Sequence, residues 1–422
     1  MGGRRFLAVL AASGVAATAM TAQAAAPTCR GSDGYAAAFE GRRTFLWRPD
    51  GLEAARQRLA AGDAALQPAW ARLKARADEA LERAPYTVVD KTMTPASGDK
   101  RDYMSMGPYW WPDPSKPDGL PYIRRDGRFN PERDGDGFDV TDLENLSQDV
   151  QALALAHYFT GDRRYADKAA QMIRVWFLDP ATRMNPNFNH GQAVPGRVSG
   201  RAEGVIDAHR LARVVEAAGL LEPTGALTPG DQSELKTWFG DLVEWMATSP
   251  IGREERAARN NHGLYYDTLI THFALFAGLD EVARVVSERA AGDRLDAQIA
   301  PDGSWPHELS RSRSLHYSTW TMAAAFDLAD EARCVDVDLW NHRGPDGRSL
   351  RAATDFLAAW AGREQDWPWP ELDKTETQSL YEVLLRAARE WNEPAYAAKA
   401  QLYAQRHADL DLNLRVPPHA ED

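Results

Sequence analysis

Two short polar runs, Asn260-Asn261-His262 and Arg311-Ser312-Arg313-Ser314-Leu315-His316-Tyr317, each stand at the edge of a stretch with helical spacing. Between them they supply carboxamides, imidazoles, guanidinium groups and a phenol. Brought together by a fold, such a set can neutralise a carboxylate, remove the weakly acidic carbon-bound proton beside it, and return a proton to a departing oxygen. Neutralisation has to come first, because taking that proton puts a second negative charge on a group that already carries one. A donor aimed at the developing charge is worth about 3–4 kcal/mol of barrier. A phenol, with its ordinary pKa of about 10, becomes a base only where cations lower it, and Arg311 and Arg313 are the candidates for that. In a helix, Arg313 and Tyr317 are four apart and share a face. Taken alone, Asn260-Asn261-His262 reads equally as a helix cap, since Asn is a favoured N-cap residue. The chemistry needs both runs.

A second set lies upstream. Tyr109, Trp110 and Trp111 stand near Lys100, Arg101 and Tyr103, combining aromatic faces that stack on sugar rings with cations that attract an anionic chain. Gln192, His190 and Arg201 add polar groups. The expected substrate-binding residues are therefore Lys100, Arg101, Tyr103, Tyr109, Trp110, Trp111, Gln192, Arg201, Asn260, Arg313 and His316, and the expected partner is an anionic polysaccharide. The net charge of −12 excludes nucleic acid as the main partner, because phosphate binding needs a basic footprint. What matters for a polyanion is the local potential of a cleft, and basic residues are bunched at Lys100-Arg101, Arg124-Arg125, Arg197 with Arg201, Arg253 to Arg259, and Arg311 with Arg313. No metal or cofactor is expected. His307-Glu308 lacks the second histidine of a zinc-protease helix, and Asp134-Gly135-Asp136-Gly137 lacks the length and terminal Glu of a calcium loop.

The elements that must position these groups are helical. Leu52 to Ala84 carries an amphipathic helical spacing. From 86 to 140 the period gives way to Pro, Gly, Asp and aromatics, the composition of a long irregular segment that is usually functional. Helical stretches follow at Asp142–Thr160, Arg164–Phe177, Gly200–Ala218, Pro229–Ala247, His262–Ala277, Glu281–Arg294, Ser314–Asp330, Ser349–Ala361, Thr375–Arg389 and Pro394–Asp409. Many helices, short loops and little strand spacing predict an all-α fold, an α/α toroid built as an incomplete barrel of antiparallel helix pairs. Residues 1–25 read as a secretory signal: Arg4-Arg5 in twin-arginine style, an apolar run from Phe6 to Met20, then Ala22-Gln23-Ala24. Residues 26–422 are then expected to form one catalytic domain, periplasmic or secreted, with no membrane span. Export would permit a disulfide between Cys29 and Cys334.

The two runs, in their order along the chain, resemble the alginate lyase superfamily. Further stretches agree: Pro108-Tyr109-Trp110-Trp111-Pro112, Asn185-Pro186-Asn187-Phe188-Asn189 leading to Gln192-Ala193-Val194-Pro195-Gly196, and Gly200-Arg201 before Gly204-Val205-Ile206-Asp207. The resemblance spans Lys100 to Glu371. It implies an α/α toroid and cleavage of a polyuronate by β-elimination, on mannuronate-rich alginate first and glucuronan next. Asn261 and His262 would hold the uronate carboxylate, Arg311 or Arg313 would assist, and Tyr317 would move protons. Trp320 stands where some members carry another tyrosine. Two other readings of the residues stay open here. Asp142, Asp149, Asp207 and Glu308 could supply the carboxylic acid pair of a glycoside hydrolase, and the arginines alone could grip carboxylates in a non-catalytic binding protein.

Overall fold

The computed structural model describes residues 29, 31, 39–372 and 376–418. The expected signal segment, 1–25, lies outside the described residues. The helices are α1 (Pro49–Ala60), α2 (Gln67–Glu82), α3 (Val140–Thr160), α4 (Arg163–Ile173), α5 (Leu211–Leu221), α6 (Pro229–Thr248), α7 (Pro250–Ala257), α8 (Asn261–Ala277), α9 (Asp280–Ala290), α10 (Pro306–Leu309), α11 (Ser314–Ala332), α12 (Leu350–Ala358), α13 (Gln378–Trp391), α14 (Pro394–Ala404) and α15 (Leu412–Arg415). Helices α3, α5, α8, α11 and α13 pack side by side in that order, while α4, α6, α9, α12 and α14 lie against them as a second layer. This is the α/α toroid. Among the described residues no helix is long and apolar enough to cross a membrane.

Patterning decides which helix goes where. Helix α8 is buried over almost all of its length from Gly263 to Phe276, and α11 is nearly as buried, so both present an apolar surface on every side and belong to the inner row. Helix α4 instead turns Tyr165, Ala166, Ala169, Ala170, Met172 and Ile173 inward and leaves its charged residues in solvent, which suits the outer layer. The stretch predicted as one helix from Leu52 to Ala84 is two. Gly62 takes a positive φ of 81° and ends α1, and Pro68 opens α2. Helix α7, absent from the sequence reading, is a short charged helix that Ser249 caps and Pro250 begins.

The irregular segment is ordered by four short strands. β1 (Met104–Met106) pairs in parallel with β4 (His190–Ala193), and β2 (Trp110–Trp111) pairs antiparallel with β3 (Ile123–Arg124). A buried ion pair at 3.0 Å between Lys91 and Asp139, whose carboxylate also accepts the Met104 N–H, fixes the base of this segment. Cys29 and Cys334 form a disulfide with their Cα atoms 4.4 Å apart, which ties the start of the described chain to the turn after α11.

A buried charge cluster joins three inner helices. His272 of α8 lies 3.0 Å from Glu216 of α5 and 3.1 Å from Glu331 of α11, and Glu216 also accepts the N–H groups of Phe45, Leu46 and Trp47. Burial opposes the imidazolium, but the two carboxylates outweigh it and push His272 up to about 10, while burial pushes Glu331 up to about 8. The folded protein thus holds protons that the unfolded chain releases. The His272 contribution is complete below the unfolded histidine value of about 6.5 and is lost as the pH rises toward about 10, and the Glu331 contribution declines earlier, between about 4.5 and about 8.

Melting temperature measured against pH should fall on the alkaline side of neutrality. His272→Gln, which removes the buried cation between Glu216 and Glu331, should cost about 3–5 kcal/mol near neutral pH and flatten that alkaline decline; an unchanged slope in the variant would contradict the assignment. Cys334→Ser should lower the unfolding free energy by about 3–5 kcal/mol, because the bond closes a loop of 305 residues, and a denaturation curve unchanged by reduction would argue against it.

Candidate active site

The elbow between α7 and α8 carries the first polar run. Asn260 is the N-cap of α8, its Oδ1 accepting the His262 N–H at 3.2 Å. Asn261 is fully buried, and Glu308 of α10 accepts from its backbone N–H at 2.7 Å and from its carboxamide Nδ2 at 2.8 Å, which leaves the second Nδ2 hydrogen uncommitted. His262 sets its Nδ1 2.6 Å from the Glu255 carboxylate of α7, which leaves Nε2 as the nitrogen that can serve the cleft. Burial pushes both glutamates up, opposed in Glu255 by His262 and in Glu308 by Asn261. The elbow depends on Gly263, where a Cβ would collide with the Ala258 carbonyl.

The second run enters α11 from the other side. Tyr317 lies in the first turn of α11, buried, with its hydroxyl hydrogen-bonded to that of Tyr109. The Arg311 guanidinium lies 3.7 Å from the Tyr317 ring centroid. Burial, followed by Tyr109, pushes the Tyr317 phenol well above its ordinary value, and Arg311 pulls against them without prevailing. The cation lowering expected from the sequence is present, but desolvation outweighs it. Asp126 accepts from Arg311 Nε at 3.2 Å and Nη2 at 2.8 Å. His316 lies parallel to Trp320, with ring centroids 6.3 Å apart. Burial, followed by Arg313, pushes it down to about 4, so it is uncharged near neutrality.

Both runs open onto one cleft of about 760 Å³. Asn260, Asn261, His262, Arg311, His316 and Tyr317 line it, together with Tyr109, Trp110, Gln192 and Arg201. Trp110 is flanked by the guanidinium groups of Arg197 at 5.3 Å and Arg201 at 5.8 Å. Gln192 adopts a positive φ of 48°, with its backbone N–H on Ser105 Oγ and its Oε1 accepting from Arg201 Nη2 at 2.8 Å. Arg124 adds a further cation to the wall.

Other expected binding residues lie away from the cleft. Tyr103 is fully buried, donates to Asp207 at 3.1 Å and packs on Phe188, so it belongs to the core. Lys100 gives its Nζ to the Lys91 carbonyl at 2.6 Å, and Arg101 pairs with Asp99 at 2.8 Å, so local acceptors hold both cations. Trp111 points to the other side of its two-residue strand, where Nε1 donates to the Arg128 carbonyl and Arg125 lies over the ring. Arg313 is buried against Phe129 and reaches Glu376 at 3.4 Å, whereas Arg311 lines the cleft. His190, 3.7 Å from Asp102, is also off the wall.

The acids proposed for hydrolysis are committed elsewhere. Asp149 is buried between Arg76 and Arg83, Asp207 accepts from Tyr103 and Ser105, Glu308 holds Asn261, and Asp142 does not line the cleft. Among the described residues no group of three or more His, Cys, Asp or Glu side chains is arranged to hold a metal ion. Sequence reasoning missed Glu255 and Asp126. The first sits in a charged run that reads as a solvated helix face, and the second pairs with a residue 185 positions away.

Comparison with known proteins adds the family. The alginate lyase family matches residues 87–367. An alginate lyase from Bacteroides ovatus is 39% identical in sequence, with a TM-score of 0.85, covering 90% of this chain and 100% of its own. A variant of alginate lyase A1-III from Sphingomonas species A1, complexed with a tetrasaccharide, shares the fold at 18% identity and a TM-score of 0.54, covering 88% of this chain and 95% of its own. Comparison with curated proteins returns no match. A family match over most of the chain, and a relative of this identity over nine-tenths of it, lead to one conclusion: the chain belongs to the alginate lyase family and is a polysaccharide lyase.

Proposed function

We propose that the cleft cleaves alginate, mannuronate-rich chains first and glucuronan next, by β-elimination. The observation that carries this is the convergence of Asn261, His262, Arg311 and Tyr317, from two distant stretches, on one cleft. In the proposed reaction the uronate carboxylate lies against Asn261, His262 and Arg311, which neutralise it and stabilise the enolate-like intermediate. Tyr317, as the phenolate whose proton has passed to solvent, removes the proton from C5 and passes it to the glycosidic oxygen as the C4–O bond breaks and a C4–C5 double bond forms. In mannuronate the proton and the leaving oxygen lie on the same face, so a single phenol serves both steps. Tyr109, hydrogen-bonded to Tyr317, can support the phenolate by donating its own O–H. Trp110, Gln192, Arg201, Asn260 and His316 line the rest of the cleft and are proposed to hold the flanking sugars.

One observation favours a second reading of the same site. Tyr317 is held in its protonated form by burial, which suits an acid better than a base. For guluronate, the C5 epimer of mannuronate, the two departing groups lie on opposite faces, so His262 would take the C5 proton and Tyr317 would protonate the leaving oxygen. The protein is further proposed to act after export, as a periplasmic or secreted enzyme. The Arg4-Arg5 leader supports this, as does a disulfide of the kind that oxidising compartments maintain.

Incubation with polymannuronate, polyguluronate and glucuronan, followed by ultraviolet absorbance, tests the reaction and its preference together. Elimination gives an absorbing conjugated product; reducing ends without absorbance would sink the proposal. Tyr317→Phe should lose roughly 10²- to 10⁴-fold in kcat, and Asn261→Ala roughly 10²- to 10³-fold, with folded circular dichroism spectra. Sequencing the N-terminus of the exported protein should place its start near residue 26, and a protein retaining Met1 would count against export by this leader.

A further inference from the structure

Asp126 stands on the loop after β3, and its carboxylate gathers donors from both borders of the cleft. Oδ1 accepts from Arg311 Nη2 at 2.8 Å and from Arg124 Nη2 at 2.7 Å. Oδ2 accepts from Arg311 Nε at 3.2 Å, from the Ser312 N–H at 3.3 Å and from Ser312 Oγ at 2.8 Å. The next residue, Gly127, has a φ of 74° and lies so close to Ser312 that a Cβ would strike the hydroxyl, so the backbone itself is shaped to bring these groups together. The turn that Asp126 grips is also held from its other side. The Ser314 N–H donates to the Pro370 carbonyl at 2.9 Å, the Leu372 N–H to the Ser312 carbonyl at 2.7 Å, and the Leu315 N–H to Glu371 at 2.8 Å.

An arginine at the end of a flexible side chain meets a carboxylate in many orientations, and a two-point grip on Nε and Nη2 fixes the plane of the guanidinium. Here that plane lies over the Tyr317 ring at 3.7 Å. With Nε and Nη2 engaged, Nη1 has no hydrogen-bond partner among the described residues, although Arg311 lines the cleft. We propose that Asp126 is a positioning residue for the elimination, fixing the Arg311 guanidinium against Tyr317 so that its remaining N–H edge faces the substrate carboxylate. A carboxylate already accepting five hydrogen bonds is poorly placed to act as a base. Its role is exercised through Arg311, and this inference rests on the reading of the cleft proposed above.

The test is a double-mutant cycle on the full chain with the polyuronate that the wild type cleaves best, followed by ultraviolet absorbance. Asp126→Ala should lower kcat by about 10- to 100-fold with a much smaller change in KM, the signature of a misplaced transition-state donor. Asp126→Asn, which keeps one acceptor oxygen, should recover part of the loss. In an Arg311→Ala background, Asp126→Ala should add less than about twofold, because its effect passes through the missing arginine. Unaltered kcat in Asp126→Ala, or an equal loss with and without Arg311, would overturn the inference; if the alanine variant does not fold, Asp126→Asn carries the same comparison. Crystal structures of the Asp126 variants provide a readout independent of substrate. Arg311 should leave its place over Tyr317, and a guanidinium that stays there overturns the proposal whatever the activity. A wild type that forms no absorbing product would instead refute the reading of the cleft.

Discussion

Two buried carboxylates set the geometry on which this cleft depends. Glu255 and Glu308 lie under the start of α8, and a carboxylate taken out of water is tolerated only where donors meet it. Those donors are His262 and Asn261. The polar pairs that keep the glutamates in the interior therefore also decide which way the imidazole and the carboxamide face. Losing either glutamate would leave its partner unoriented, so burial and orientation are one constraint.

The same logic extends to the opposite wall. Asp126 is held ionised well below the usual carboxylate range although burial works against it, because Arg311 and Ser312 supply more than the lost water. A protein with net charge −12 can thus offer a polyanion a cleft edged by Arg124, Arg201 and Arg311. These cations are partly satisfied by Asp126, Glu203 and Gln192 before any ligand arrives. Partial satisfaction keeps the guanidinium groups in place at the cost of some attraction for the substrate.

Much of this was legible in the sequence, for physical reasons that differ from element to element. Helices α3, α6, α8 and α11 follow from long apolar periods and clear stops, and the two polar runs stand out because they interrupt such periods. Short elements were harder. Helix α7 is eight residues, half of them charged, and α10 is a single turn, yet these two carry Glu255 and Glu308. Side-chain direction was harder still. In the irregular segment, Trp110 and Trp111 alternate across a two-residue strand, so one lines the cleft and its neighbour does not, and Tyr103 is drawn into the core by Asp207. Spacing alone left Arg311 and Arg313 equivalent. What separates them is Asp126, a partner that only the folded chain brings within reach.

The central claim is geometric, that four groups from two stretches meet one uronate. A crystal structure of the inactive Tyr317→Phe protein with an oligouronate bound is its most direct test. The account predicts one sugar carboxylate within hydrogen-bond distance of Asn261 Nδ2, His262 Nε2 and Arg311 Nη1, with the residue 317 ring facing C5 and the glycosidic oxygen. A sugar chain bound along Trp110 and Arg201, with no carboxylate reaching the start of α8, would contradict it.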